Sequence, residues 1–185
     1  MVDTGVEGSA DRIGAALEVA GISWDGVRHV LITHAHFDHI GGLEEVACRA
    51  SGAKLYGGEL DLDTIFLRPP GPDAASPGPL ERFRAVTDGQ DVFGLQVVAT
   101  PGHTPGHIAV FDAASAVLVA GDALPNTVDG NLGGSLPMVT PDQAAAADSA
   151  HKLAALNPRV ILVGHGPPVE HDAAAKLRRL ASTLN

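Results

Sequence analysis

A chain of 185 residues, 45% hydrophobic and 18% charged with a mean hydropathy of +0.13, carries enough apolar material for one core, which sets aside a disordered chain and leads to the expectation of a single domain. Twenty-two acidic residues against twelve basic ones give a formal charge of −10, which repels a phosphate backbone and sets long nucleic acids aside as substrates. The single cysteine, Cys48, excludes an internal disulfide and a thiolate metal cluster, so any metal has to be held by His, Asp and Glu.

In chain order, the spacing of Ile13, Ala16, Leu17 and Ala20 predicts a helix from Ser9 or Asp11 to about Ala20, closed by Gly21. A short strand, Val27 to Thr33, runs directly into HAHFDH at 34–39. A second helix is expected through Leu43, Val46 and Ala47 to a stop at Ser51-Gly52, with Cys48 on it as a small buried hydrophobe. Lys54 to Tyr56 is the next strand. Residues 67–80, dense in Pro, Gly, Ser and Ala, read as a surface loop or flap dividing a single domain into halves of about 1–66 and 81–185. The second half opens with Ala85-Val86 and the turn Asp88-Gly89, followed by strands at Leu95–Thr100, Ile108–Phe111 and Val117–Ala120. Thr140-Pro141-Asp142-Gln143 starts a helix to about Leu156, with Thr140 as N-cap and Pro141 at the first helical position. Val160–Val163 is a last buried strand, and Asp172–Leu180 a final helix with basic residues near its C-terminal end.

No apolar run reaches the roughly 18 residues of a membrane span, and MVDTGVEGSADR has neither a basic region nor an apolar signal core, so the expectation is a cytoplasmic protein without a membrane partner. Dinucleotide and P-loop glycine patterns are absent from the sequence.

Four apolar runs end on a ligand-type residue: VLIT before His34, VVATPG before His103, VLVAG before Asp122 and ILVG before His165. Ends of neighbouring strands converge, so these residues should converge as well. On an extended segment His34 and His36 point to the same side and can share one ion, while Asp38 and His39 come where the chain bends into a helix and can face a second. Imidazole and carboxylate without thiolate suit zinc, manganese or iron, with zinc the first expectation. His29, His107, His151 and His171 stand outside this pattern and read as structural.

HxHxDH at 34–39, PGHT at 101–104, GD at 121–122 and GHG at 164–166, in that order, resemble the metallo-β-lactamase superfamily, as does VDTG at 2–5. The resemblance covers nearly the whole chain. It implies an α+β fold of the αββα sandwich type, and it implies that His34, His36 and His103 hold one metal, Asp38, His39 and His165 a second, with Asp122 bridging them. The implied activity is that of a dinuclear-metal hydrolase: a metal-bridging hydroxide attacks a small substrate, Asp38 and Asp122 are the catalytic carboxylates, and Asp38 orients the water or carries its proton. Asp3 either fixes an imidazole from below the site or is a turn aspartate before Thr-Gly.

Within the family, β-lactamase is a poor match, because Asp122 stands where that class has no bridging aspartate. A glyoxalase-II-like hydrolase of esters, thioesters or lactones fits best, with 67–80 and 123–138, including Asn126, Asn131 and Met138, expected to line the pocket or to be plain connection. The competing readings are a persulfide-dioxygenase-like enzyme with one iron on two His and one Asp, and a truncated binding member of the fold. Family members carry further strands before Asp-Thr-Gly, so the first sheet is expected to lack its opening strands, and a homodimer through that sheet is one way to cover the gap.

Overall fold

Short apolar runs such as LQVVA, IAVFD, VLVAG and VILV become strands, and the strands form two sheets. The computed structural model describes residues 1–66, 82–125 and 131–184, and the chain divides into two units, Met1–Val86 and Thr87–Asn185.

The first unit holds a three-stranded parallel sheet, β1 (His29–Ile32), β2 (Lys54–Gly58) and β3 (Phe83–Val86), in that order. Val30, Leu31 and Ile32 are buried in succession rather than alternately, the pattern of a sheet covered on both faces. Parallel neighbours require crossovers. The one between β1 and β2 carries α2 (Phe37–Ile40) and α3 (Leu43–Arg49), and α4 (Leu62–Phe66) follows β2. Ahead of the sheet lies α1 (Ala10–Val19), where Gly21 N–H bonds Glu18 O and Ile22 N–H bonds Leu17 O, a paired C-terminal closure made with Gly21 at φ +70°. Of the expected α1 face, Ile13 and Leu17 pack on the core whereas Ala16 and Ala20 are exposed.

Three expectations differ from the structure. The single helix expected after HAHFDH is two helices, broken at Gly41-Gly42, where a Cβ on either residue would come 2.5 Å from the backbone of Glu7 or Thr4. Cys48 is exposed, not buried: Leu43, Val46, Ala47 and Ala50 form the inward stripe of α3 at helical spacing, and position 48 falls off it. Ala85 and Val86, expected to open the second half, pair with Gly57 and Gly58 and so complete the first sheet.

The second unit is built on a five-stranded sheet, β4 (Asp91–Val92), β5 (Leu95–Ala99), β6 (Ile108–Asp112), β7 (Val117–Gly121) and β8 (Val160–Val163), antiparallel except for the β7–β8 pair. Helices α5 (Gln143–Ala155) and α6 (Ala173–Ala181) contribute Ala150, Leu153, Ala173 and Leu177 to a core shared with Leu118 and Ile161. The N-cap of α5 is Asp142, whose carboxylate accepts from Ala145 N–H at 2.9 Å, rather than Thr140. Thr140 is instead buried, and Gln143 reaches back to its carbonyl at 2.9 Å. Ala123, Leu124 and Leu132 also belong to this core, so the stretch expected to line a pocket is partly structural. The proposed loop 67–80, and Asn126, lie outside the described residues.

The α+β fold class expected from the sequence is the one observed. Among the described residues no helix is long and apolar enough to cross a membrane.

Candidate metal centre

In the first unit β1 stops at Ile32 and delivers Thr33 and His34 into a buried corner. Asp3, held at φ +56° with its N–H on Leu31 O, points its carboxylate into the same corner. Its Oδ1 accepts Thr33 N–H at 2.7 Å; its Oδ2 accepts the Thr33 hydroxyl at 2.8 Å and His39 Nδ1–H at 2.7 Å. With its hydroxyl proton committed to Asp3, Thr33 Oγ1 can only accept from His34 Nδ1, which lies 3.0 Å away. Both buried imidazoles therefore carry their proton on Nδ1, and each keeps Nε2 as its ligand nitrogen. The outer hydrogen bond that orients a metal-binding histidine is thus built in.

His34 Nε2 lies 3.1 Å from His36 Nδ1, the His34 and His39 rings have centroids 4.1 Å apart, and Asp38 Oδ2 lies 3.8 Å from His39 Nε2. Asp38 and His39 occupy the first turn of α2, which starts inside the HAHFDH segment. Two further groups hold that segment. Thr4 donates to His39 O from its N–H at 2.8 Å and from its hydroxyl at 2.9 Å. Buried Asp61 accepts Ala35 N–H at 3.2 Å through Oδ2. Asp61 carries no motif, and nothing in the sequence singles it out.

His29 serves a different purpose. Its Nδ1 lies 3.1 Å from the Tyr56 hydroxyl and the two rings stack, tying β1 to β2. Burial first, then the charges of Lys54, the chain amine and Arg28, hold its pKa below the ordinary histidine value, as expected for a structural imidazole kept neutral.

In the second unit three donors gather around one carboxylate. Gly102, at φ +134° and so close to α5 that a Cβ would meet Ala146 N at 2.5 Å, lets the chain after β5 turn and present buried His103. His103 Nδ1 faces Thr140 Oγ1 at 3.4 Å, and its Nε2 lies 3.5 Å from Asp122 Oδ2. His165 Nε2 approaches the same oxygen at 3.3 Å, on a side chain that is 58% exposed and thus the least enclosed of the set. Asp122 is aimed by an irregularity: the β7–β8 register shifts between Val119 and Gly121, the bulge turns the strand end, and Gly164 N–H anchors to Gly121 O at 2.9 Å.

The donor chemistry fits a divalent ion. Ligand bonds of 2.0–2.1 Å in a tetrahedron put neighbouring donor atoms about 3.3 Å apart. The spacings within the two units, 3.1 Å for His34–His36, 3.5 Å for His103–Asp122 and 3.3 Å for His165–Asp122, are of that size. The structure thus gathers His34, His36, Asp38 and His39 in one unit and His103, Asp122 and His165 in the other. His151 and His171 are exposed and stand apart from the described donor pairs.

An α+β fold presenting imidazole and carboxylate donors at its strand ends defines a metal-binding class. The chain belongs to the metallo-β-lactamase superfamily, whose family model matches residues 1–165. It is 32% identical to the probable metallo-hydrolase YflN of Bacillus subtilis (strain 168), across 86% of this chain and 72% of that one. It is 35% identical to a hydroxyacylglutathione hydrolase of Rhodobacter capsulatus across 75% of this chain, but spans only 48% of that protein's length. Among solved structures it is similar to TTHA1623 in a di-iron-bound form, with a TM-score of 0.69 and 27% identity over 100% of this chain and 86% of the other. These relatives place the chain in a metal-dependent superfamily of hydrolase type.

Proposed function

We propose that the chain is a dinuclear-metal hydrolase of a small ester, thioester or lactone, in which His34, His36 and His103 would hold one ion, Asp38, His39 and His165 the other, with Asp122 shared. The observation that carries the reading is the spacing of donor atoms at tetrahedral-edge distance within each unit, with His34 and His39 already fixed in the ligating tautomer by Asp3 and Thr33. A relative named for hydrolysis of hydroxyacylglutathione supports the thioester class, and a structural neighbour with two irons supports a two-ion site.

Two ions held this way supply an acidified water and a Lewis-acid clamp for the oxygen that gains charge in the transition state. The chain's own groups do the rest. Asp38, on the first turn of α2 with a partly exposed carboxylate, takes the proton of the attacking water and passes it toward the leaving group. Asp122, nearly enclosed, is the carboxylate on which His103 and His165 converge. Exposed His165 leaves the open side by which substrate enters.

The test is turnover of a panel of thioesters, esters and lactones by the full chain loaded with zinc, manganese or iron. The expected result is hydrolysis that chelation abolishes and metal restores, with Asp122→Asn losing both bound metal and turnover. Oxygen consumption with a persulfide, together with no hydrolysis of any member of the panel, would instead favour sulfur oxidation and overturn the hydrolase reading.

A further inference from the structure

His107 lies outside the proposed donors and is almost completely buried, at 1% exposure. Both of its ring nitrogens are engaged within the second unit. Asp122 N–H points at Nε2 from 3.1 Å, and Thr100 Oγ1 lies 2.7 Å from Nδ1. A backbone N–H can only donate, so Nε2 must be the unprotonated nitrogen and Nδ1 must carry the proton, which goes to Thr100. The Thr100 hydroxyl in turn reaches the His107 carbonyl at 3.5 Å, and Thr100 N–H bonds that carbonyl at 2.9 Å, closing the loop between β5 and β6 on itself. The tautomer follows from chemistry alone, without reference to any metal.

We infer that His107 is a positioning residue for the metal centre: it holds the Asp122 backbone by accepting its N–H, and thereby fixes the carboxylate on which His103 and His165 converge. The inference rests on the proposed function for its purpose, though not for its geometry. Asp122 follows a strand bulge and Gly121 at φ +53°, and the ladder holds the Gly121–Asp122 peptide only at its carbonyl, through Gly164 N–H at 2.9 Å, leaving the N–H of Asp122 to be held from elsewhere. The hydrogen bond that Asp122 N–H donates to His107 Nε2 supplies this second restraint, on a ring locked by Thr100 and packed edge-on against His103 with centroids 6.1 Å apart. Both nitrogens being occupied in this way, His107 is not itself a ligand. The sequence carries the signal only as PGHTPGH, in which the second histidine looks like a repeat of the first.

The test has two parts on the full chain. Nitrogen-15 NMR of the metal-free protein reads the His107 tautomer directly: a protonated Nδ1 and bare Nε2 are expected, and a protonated Nε2 overturns the inference. This reading stands even if the wild type takes up no metal, the outcome that would defeat the proposed function, and with it the metal-positioning role, while leaving the hydrogen bond from Asp122 N–H to His107 Nε2 established. Zinc titration against a competing chelator then compares His107→Gln, whose side-chain carbonyl can still accept Asp122 N–H, with His107→Leu. Loss of one outer partner weakens metal binding about 10–100-fold, so His107→Leu is expected to fall by that factor and His107→Gln to recover most of it. Equal affinity in both variants, whether preserved or lost, shows that the hydrogen bond to Asp122 does not matter and overturns the inference. Should His107→Leu not fold, His107→Gln against wild type together with the tautomer decides.

Discussion

Asp3 is the residue on which both buried imidazoles of the first unit depend, one directly and the other through Thr33. Asp3→Asn keeps the shape but puts an amide where a carboxylate oxygen accepts two hydrogen bonds. The expected outcome is metal affinity lower by about 10–100-fold, read by chelator competition, with only a modest fall in stability. Asp3→Ala should cost more in urea unfolding, about 1–3 kcal/mol, because buried Thr33 and His39 then lose their acceptor. At this scale the sequence is readable where chemistry is written in residue type. His34, His103, Asp122 and His165 stand out because each follows an apolar run, and His36, Asp38 and His39 because they cluster with His34 in HAHFDH. Their supporters do not stand out. Thr33, Thr100, Thr140, Asp61 and His107 are ordinary residues until folding brings them beside a ligand-type side chain, and sequence neighbours such as Ala35 or Pro101 give no hint of it.

Elements were legible in kind and imprecise at their joints. Apolar runs mark β5 to β8 within a residue or so, and the break between α2 and α3 was missed because Gly41-Gly42 is dictated by the backbone of 4–7 passing alongside, a tertiary contact. The N-cap of α5 shifted from Thr140 to Asp142 for a related reason: Thr140 is buried beside His103. Two predictions belong to this scale. Gly102→Ala forces a Cβ against α5 backbone at a φ that L residues rarely adopt, and should lower stability by about 2 kcal/mol or more in urea unfolding; Gly89→Ala, at φ +77° with open space around it, should cost only about 1 kcal/mol. Equal costs at the two positions would mean that the approach of α5 to Gly102 does not constrain the chain. The second concerns His29 between β1 and β2. Its pKa is lowered in the folded protein, so the unfolded chain binds the extra proton first. Stability contributed by His29 is complete above about pH 6.5 and is lost as pH falls through the lower folded value. His29→Gln should therefore show a shallower fall in unfolding free energy between pH 7.5 and 5.5 than wild type, and identical slopes would remove His29 as a contributor.

The whole molecule combines a charge of −10 with imidazoles that are buried and pre-oriented. A divalent ion that supplies positive charge to such a site relieves the repulsion of its carboxylates, and binding to the folded state alone raises stability by mass action. Each unit has its own core, one around Val30, Val46 and Leu55 and one around Leu118, Leu153 and Ile161, so the strand ends that carry the donors sit on rigid supports. Fold and family were readable because the donor motifs appear in order along most of the chain; substrate was not, because pocket-lining segments have no fixed chemistry. A two-ion centre is tested by the number and kind of metal ions per chain in the purified protein, by elemental analysis. About two zinc, manganese or iron ions per chain, falling to about one or fewer in Asp122→Ala, is the predicted result; a single iron per chain that survives Asp122→Ala, or no bound metal after incubation with zinc, manganese and iron in turn, would contradict it.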